Sequence, residues 1–229
     1  MKNLTELFDS HNDKIIYKWT HYLELYERYL SKFRNRSISI LEIGVSTGGS
    51  LQLWKKYFGK NCNIVGIDID QNCKYEEPQI KVEIGDQTNK KFLKYIVDTY
   101  GPFDIVIDDG SHIQNHIRTS FDFLYDYVKY DGVYVIEDTH TAYINSCNGG
   151  LKSPLNIIHY ISKFVDDIHF RYIKDLFYIK KIKNIKSISF YDSIIFIEKE
   201  NEENNNRCAK MIGKNFYKKL TQNDVLKFN

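Results

Sequence analysis

Four times in this chain a short, largely apolar run stops at glycine or at acid. Ile38–Ile43 precedes Gly44, Asn63–Ile67 precedes Asp68, Phe103–Ile107 precedes Asp108-Asp109, and Gly132–Ile136 precedes Glu137-Asp138. Runs with little polar alternation belong to strands buried on both faces, and such strands form parallel sheets. The stretches between them have helical spacing. Leu51, Trp54 and Phe58 share one side of a helix over Ser50–Phe58. Phe92, Leu93, Ile96 and Val97 do so over Lys90–Tyr100, and Ile113, Ile117, Phe121, Leu124 and Val128 over Ile113–Tyr130. Strands alternating with helices predict a doubly wound α/β domain. Ile80–Ile84 adds a strand, and Ser187–Phe190 with Ser193–Glu198 reads as an antiparallel hairpin turning at Tyr191-Asp192. The expected fold is a mostly parallel, seven-stranded Rossmann-like sheet with a C-terminal antiparallel hairpin.

The expected organisation is an N-terminal helical segment over 1–36, the main domain over 37–200 and a tail over 201–229. Ile15, Ile16, Trp19, Tyr22, Leu23, Tyr26, Tyr29 and Leu30 recur at helical spacing in the first. A Gly/Ser/Asn/Pro-rich loop over Asn145–Pro154 precedes a helix running to about Phe170. A chain of 229 residues fits one domain. With 32 basic and 30 acidic residues, it has no field to collect nucleic acid or anionic lipid. The basic run from Lys174 to Lys186 is a solvated segment or a local docking patch. The four cysteines form no CxxC pair and read as free thiols of a reducing compartment. No signal peptide and no apolar stretch near the ~20 residues of a membrane span is apparent. A cytoplasmic protein without a membrane span is expected.

In an open α/β sheet the ligand lies beyond the carboxyl ends of the strands. Gly44-Val45-Ser46-Thr47-Gly48-Gly49 is a turn at which backbone can approach a ligand, or simply a packing turn; the dinucleotide pattern GxGxxG is absent. Asp68, about 20 residues on, is placed to accept hydrogen bonds from ribose hydroxyls, or to cap the next segment. Asp86-Gln87 follows the third strand, where an acid or amide can bind an adenine amino group and where turn residues are also common. Together these segments resemble the class I S-adenosylmethionine methyltransferases over roughly residues 38–140. That resemblance implies Glu42, Gly44 and Gly48 around the methionine moiety, Asp68 at the ribose, and Asp86 with Gln87 at the adenine.

Asp108-Asp109 and Glu137-Asp138 end neighbouring strands. Carboxylates packed together raise one another's pKa unless a cation intervenes, and oxygen ligands suit a hard ion such as Mg²⁺. Alternatively, one or two of these acids cap helices and the rest are solvated. His112, three residues past Asp109, is either a structural histidine or a base beside the metal. The segments IDDGSH and VIEDTHTAY narrow the resemblance to the metal-dependent macrolide sugar O-methyltransferases of the mycinamicin type, whose relatives include cephalosporin hydroxylase-like sequences. This resemblance implies Asp109, Glu137 and Asp138 as Mg²⁺ ligands, with His112 as base. Asp108 is assigned to the cofactor side, and His140, Thr141 and Tyr143 to the acceptor. Asp13-Lys14 through His21-Tyr22 and Tyr26 echo that family more loosely, and His and Tyr over 21–26 are expected near the cofactor. The macrolide enzymes carry a further N-terminal domain not seen here, which leaves the acceptor and any homo-oligomer open.

The expected activity is Mg²⁺-dependent transfer of a methyl group from S-adenosylmethionine to a sugar hydroxyl of a small molecule or glycan, in surface polysaccharide or secondary-metabolite biosynthesis. The loop over Asn145–Pro154 is the expected lid. A nicotinamide-dependent oxidoreductase and a non-catalytic cofactor binder are the alternatives. The first lacks its glycine fingerprint, and the second has no need of a base.

Overall fold

The computed structural model describes residues 2–173 and 183–201. Two N-terminal helices, α1 (Leu4–Asp9) and α2 (Thr20–Leu30), precede the first strand, β1 (Ile38–Ile43). Then follow α3 (Gly49–Phe58), β2 (Cys62–Asp68), the two-residue β3 (Glu76–Glu77), β4 (Ile80–Ile84) and α4 (Lys90–Tyr100). Next come β5 (Phe103–Asp108), α5 (Gln114–Leu124), β6 (Val128–Ile136), α6 (Ile157–Ser162) and α7 (Val165–His169), and then β7 (Ile185–Tyr191) and β8 (Ile194–Lys199). One sheet runs in the order β3-β4-β2-β1-β5-β6-β8-β7. β4, β2, β1, β5 and β6 are mutually parallel; β8 lies antiparallel to β6, and β7 antiparallel to β8. The seven expected strands are present, and β3 adds a two-residue edge against β4.

Strand residues point alternately to opposite faces, which divides the core in two. Ile40, Ile105, Ile107, Val133, Val135 and Phe196 meet Tyr22, Tyr26 and Leu30 of α2 and Trp54 and Phe58 of α3. Leu41, Ile43, Val106, Tyr134, Ile136 and Ile195 meet Leu93 and Ile96 of α4, Ile117, Phe121 and Leu124 of α5, and Ile157 and Ile161 of α6. Burial of both faces explains the continuous apolar strands.

Three local expectations change. Ile15, Ile16 and Trp19 are not helical: residues 10–19 form a strap without helix, and α2 starts at Thr20. Their spacing matches a helix, but Ile15 and Trp19 face outward and the strap follows the strand ends instead of the core. The expected helix over Ile113–Tyr130 stops at Leu124; a 3-10 turn follows, and β6 begins at Val128, which pairs with Phe103. The hairpin turns at Asp192-Ser193, where Ser193 takes the left-handed conformation. No helix among the described residues is long and apolar enough to cross a membrane. Of the basic run, Lys183 pairs with Asp126 at 2.9 Å; Lys174, Lys180, Lys181 and also Cys208 lie outside the described residues.

Candidate active site at the strand ends

The ladder of the sheet continues one residue beyond its central strands. Gly44 N donates to Ile67 O (2.8 Å), Asp109 N to Ile43 O (2.9 Å) and Glu137 N to Asp108 O (3.0 Å). Gly44, Asp109 and Glu137 therefore stand in a row. Gly44 has φ +88°, and a Cβ there would fall 2.1 Å from the Asp109 carbonyl oxygen, so no side chain fits. Ser46, His112 and Asp138 also adopt positive φ, which for non-glycine residues costs energy and concentrates at functional sites.

Sequence reasoning missed the residue at the centre of this row. Lys18, on the strap, places its ammonium 2.8 Å from Asp109 Oδ2 and 2.6 Å from Glu137 Oε1, with only 2% of its side chain exposed. A lone lysine in the apolar stretch Ile15-Ile16-Tyr17-Lys18-Trp19 gives no signal of burial, because lysine is almost never buried unless paired. Burial works against its charge, but Asp109 and Glu137 overcome that and hold the ammonium well above its ordinary range. Burial and the charge of Asp109 push the Glu137 carboxyl up, against the pull of Lys18 and of the Tyr26 hydroxyl that donates to Glu137. Asp138 is half-buried; its Oδ1 accepts from Trp19 Nε1 (3.1 Å) and lies 2.9 Å from the Tyr22 hydroxyl. His112 Nε2 stands 3.7 Å from Asp138 Oδ2, too far for a hydrogen bond.

Asp109, His112 and Asp138 bring ligand atoms within 4.8 Å of one another. Two carboxylates and an imidazole at that spacing fit a divalent ion, and the ammonium already seated on Asp109 marks a place that attracts positive charge. Glu137 is more buried, turned toward Lys18 and Tyr26.

Two cavities meet at this edge. One, of about 470 Å³, is lined by strap residues 15–19, the turn at Gly44–Thr47, and Asp68, Asp109, His112, Glu137 and Asp138. The other, of about 350 Å³, is lined by Ile69, Asp86, Gln87, Ser111, Ile113 and His116. Gly44, Asp68 and Gly110 border both, so an elongated molecule could lie across the pair. The combined shape and the acid at its waist fit a nucleoside joined to an amino acid. Asp68 Oδ2 accepts from Val45 N (2.8 Å) and Ser46 N (3.1 Å), and Oδ1 from Asp70 N (2.9 Å). Although burial opposes it, these backbone donors hold Asp68 below the usual carboxylate range.

The remaining sequence-predicted residues divide between cavity and core. Glu42 is fully buried behind the turn, accepting from Ser50 Oγ at 2.6 Å and from Trp54 Nε1, and lines neither cavity. Gly48 caps α3 with φ +89° and also stands outside both linings. Asp86 borders the second cavity and accepts from Thr88 N at 2.7 Å. Gln87 accepts from Ser111 N at 2.9 Å and reaches toward Asp108 and Ser120 at 3.3 Å. Asp108 is buried against Ser120, Gln87 and Tyr134. His140 contacts Ser193 Oγ, Thr141 Oγ1 donates to Asp138 O (2.7 Å), and Tyr143 is half-exposed. The loop over Asn145–Pro154 is tied down, with Gly150 N on Ala142 O (2.7 Å) and Asn148 Nδ2 on Asn115 Oδ1 (3.0 Å). It lines neither cavity; the strap covers the first one.

No family model matches the chain. Among curated proteins it is 40% identical over 153 residues to demethylmacrocin O-methyltransferase of Streptomyces fradiae, covering 62% of this chain and 38% of that protein. It is 46% identical over 125 residues to mycinamicin VI 2''-O-methyltransferase of Micromonospora griseorubida, covering 52% and 31%. The chain thus spans less than half the length of these relatives. Among solved structures, the MycE methyltransferase of the mycinamycin pathway, in complex with Mg, SAH and mycinamycin VI, superposes with a TM-score of 0.78 at 32% identity, covering 89% of this chain and 55% of that one. In sequence and in architecture the chain resembles the metal-dependent macrolide sugar O-methyltransferases of the mycinamicin type, and its fold is that of the class I S-adenosylmethionine methyltransferases.

Proposed function

We propose that this protein is a Mg²⁺-dependent O-methyltransferase that moves the methyl group of S-adenosylmethionine to a sugar hydroxyl of a glycosylated small molecule. The observation that carries this reading is the convergence of Asp109, His112, Glu137 and Asp138 beside the turn at Gly44, where two cavities join. Its similarity to enzymes named as sugar O-methyltransferases supports the same acceptor class. A secondary metabolite is the favoured acceptor over a surface polysaccharide, because the named relatives act on such compounds.

When bound, the sulfonium supplies an electrophilic methyl group, and a divalent ion lowers the pKa of a coordinated hydroxyl. The chain's own groups do the rest. Gly44 and its neighbours and Asp68 seat the cofactor, with Asp86 at its adenine end. Asp109 and Asp138 hold the metal, with Glu137 behind them. His112, not hydrogen-bonded to Asp138, takes the proton from the acceptor hydroxyl. Trp19 and the strap form one wall of the first cavity. His140 and the half-exposed Tyr143, though neither lines a cavity, are the side chains offered for contact with the acceptor.

Calorimetry should detect S-adenosylhomocysteine and not NADH. Turnover of 6-deoxyhexose glycosides should stop with EDTA. His112→Ala should lower kcat by about 10²–10⁴ while leaving S-adenosylhomocysteine affinity intact. Undiminished turnover in EDTA would refute the metal role, and binding of NADH in place of S-adenosylhomocysteine would refute the class.

A further inference from the structure

Lys18 has no place in the reaction just described, yet its side chain is as buried as that of Glu137. Burying an ion pair costs desolvation of both partners, so such a lysine needs a reason. The geometry supplies one. The sheet register sets Asp109 and Glu137 side by side, and two carboxylates there either share a proton or are offset by a cation. Lys18 is the cation the chain itself provides.

The ammonium is carried by the strap, not by a helix. Of the strap residues before Lys18, Ile15 is 73% and Tyr17 91% exposed, while Ile16 between them packs against the core. Polar ties pin this stretch at several points, with His11 Nε2 on Lys14 O (2.7 Å) and Lys56 Nζ on His11 Nδ1 (3.3 Å) toward its start. Lys14 N donates to Gln52 Oε1 (3.2 Å), Thr47 Oγ1 to Ile15 O (2.6 Å), and Trp19 Nε1 to Asp138 Oδ1 (3.1 Å). Among the described residues, the Lys18 contacts with Asp109 and Glu137 are the strap's only ion pairs. Asp109 belongs to two sets at once: it pairs with Lys18, and with Asp138 it supplies the carboxylates proposed to hold a divalent ion, with His112 beside them. An ammonium and a divalent cation on one half-buried carboxylate repel each other strongly.

We propose that Lys18 is a tethered counterion that occupies the acid cluster until a divalent ion displaces it, so that metal binding unlatches the strap over residues 10–19. This inference rests on the metal-dependent reading above. It makes the ion a determinant of access to the first cavity as well as a reaction component, because the strap forms one wall of that cavity.

The test is Mn²⁺ titration of the full chain, followed by electron paramagnetic resonance, with hydrogen–deuterium exchange read on peptides covering residues 10–19. In the unmodified protein, saturating Mn²⁺ should accelerate strap exchange at least tenfold. Lys18→Met should bind Mn²⁺ at least tenfold more tightly, and its strap should exchange fast with or without metal. Should Lys18→Met not fold, the unmodified protein still decides: strap exchange unchanged or slowed at saturation overturns the latch. Equal Mn²⁺ affinity in a folded Lys18→Met variant overturns it too, while leaving the metal site standing. Absence of Mn²⁺ binding in both proteins overturns the metal-dependent reading and this inference together.

Discussion

Asp108 and Asp109 are chain neighbours with opposite surroundings. Asp108 ends β5 and is sealed in the core on the α5 side, whereas Asp109 lies past the strand and borders the first cavity. Burial pushes the Asp108 carboxyl up to about 6, against donors that include Ser120, the Gly110 amide and Gln87. A carboxyl whose pKa is higher folded than unfolded binds its proton more tightly in the native state. It therefore favours the folded protein at low pH, and that contribution disappears as pH rises from about 4 to about 6. The loss is up to about 3 kcal/mol, since each tenfold in proton affinity is about 1.4 kcal/mol. Denaturant midpoints across that window should fall more steeply for the unmodified protein than for Asp108→Asn; parallel curves would contradict this assignment. The sequence displays both acids but cannot rank them, because their difference arises from whether the ladder ends before or after each one. Lys18 was illegible for a related reason: only the assembled sheet creates the paired charge that draws it inward.

The strap and the start of α3 touch at a position where any side chain would intrude. A Cβ at Gly49 would lie 2.3 Å from Ile15 O and 2.5 Å from Lys14 O. Alanine is otherwise a good residue for a helix start, so Gly49→Ala should leave the domain folded, with stability changed by no more than about 1 kcal/mol. The strap must give way instead. S-adenosylhomocysteine affinity, measured by calorimetry, should weaken by about tenfold, or roughly 1.4 kcal/mol. Unchanged affinity would mean that the strap does not shape the cofactor cavity. The strands and the acids at their ends were readable because period and length leave few alternatives for a doubly buried run. The strap was misread as helix because Ile15, Ile16 and Trp19 satisfy the helical spacing equally well; the ties to Thr47, Gln52 and Asp138 that hold it extended come from distant parts of the chain.

Both cores share a single sheet, so neither face can come apart alone. Phe121 is fully buried on the α5 side, while Trp54 is fully buried on the opposite side. Phe121→Ala should cost about 3–5 kcal/mol. Tryptophan fluorescence, reporting largely from the face that was not altered, should nonetheless shift together with far-ultraviolet circular dichroism in one transition. Two separated transitions would show that the faces unfold independently. The fold class was legible because every central strand announced burial on both sides. Edge strand β3 was not, because two glutamates carry no strand pattern.

The junction of the two cavities at Gly44, Asp68 and Gly110 has an energetic corollary. A fragment filling one chamber is gripped by half of the site and gains nothing from the other. Once two such fragments are covalently joined, the second encounter takes place at a high effective concentration, and the linked molecule binds more tightly than the separate pieces suggest.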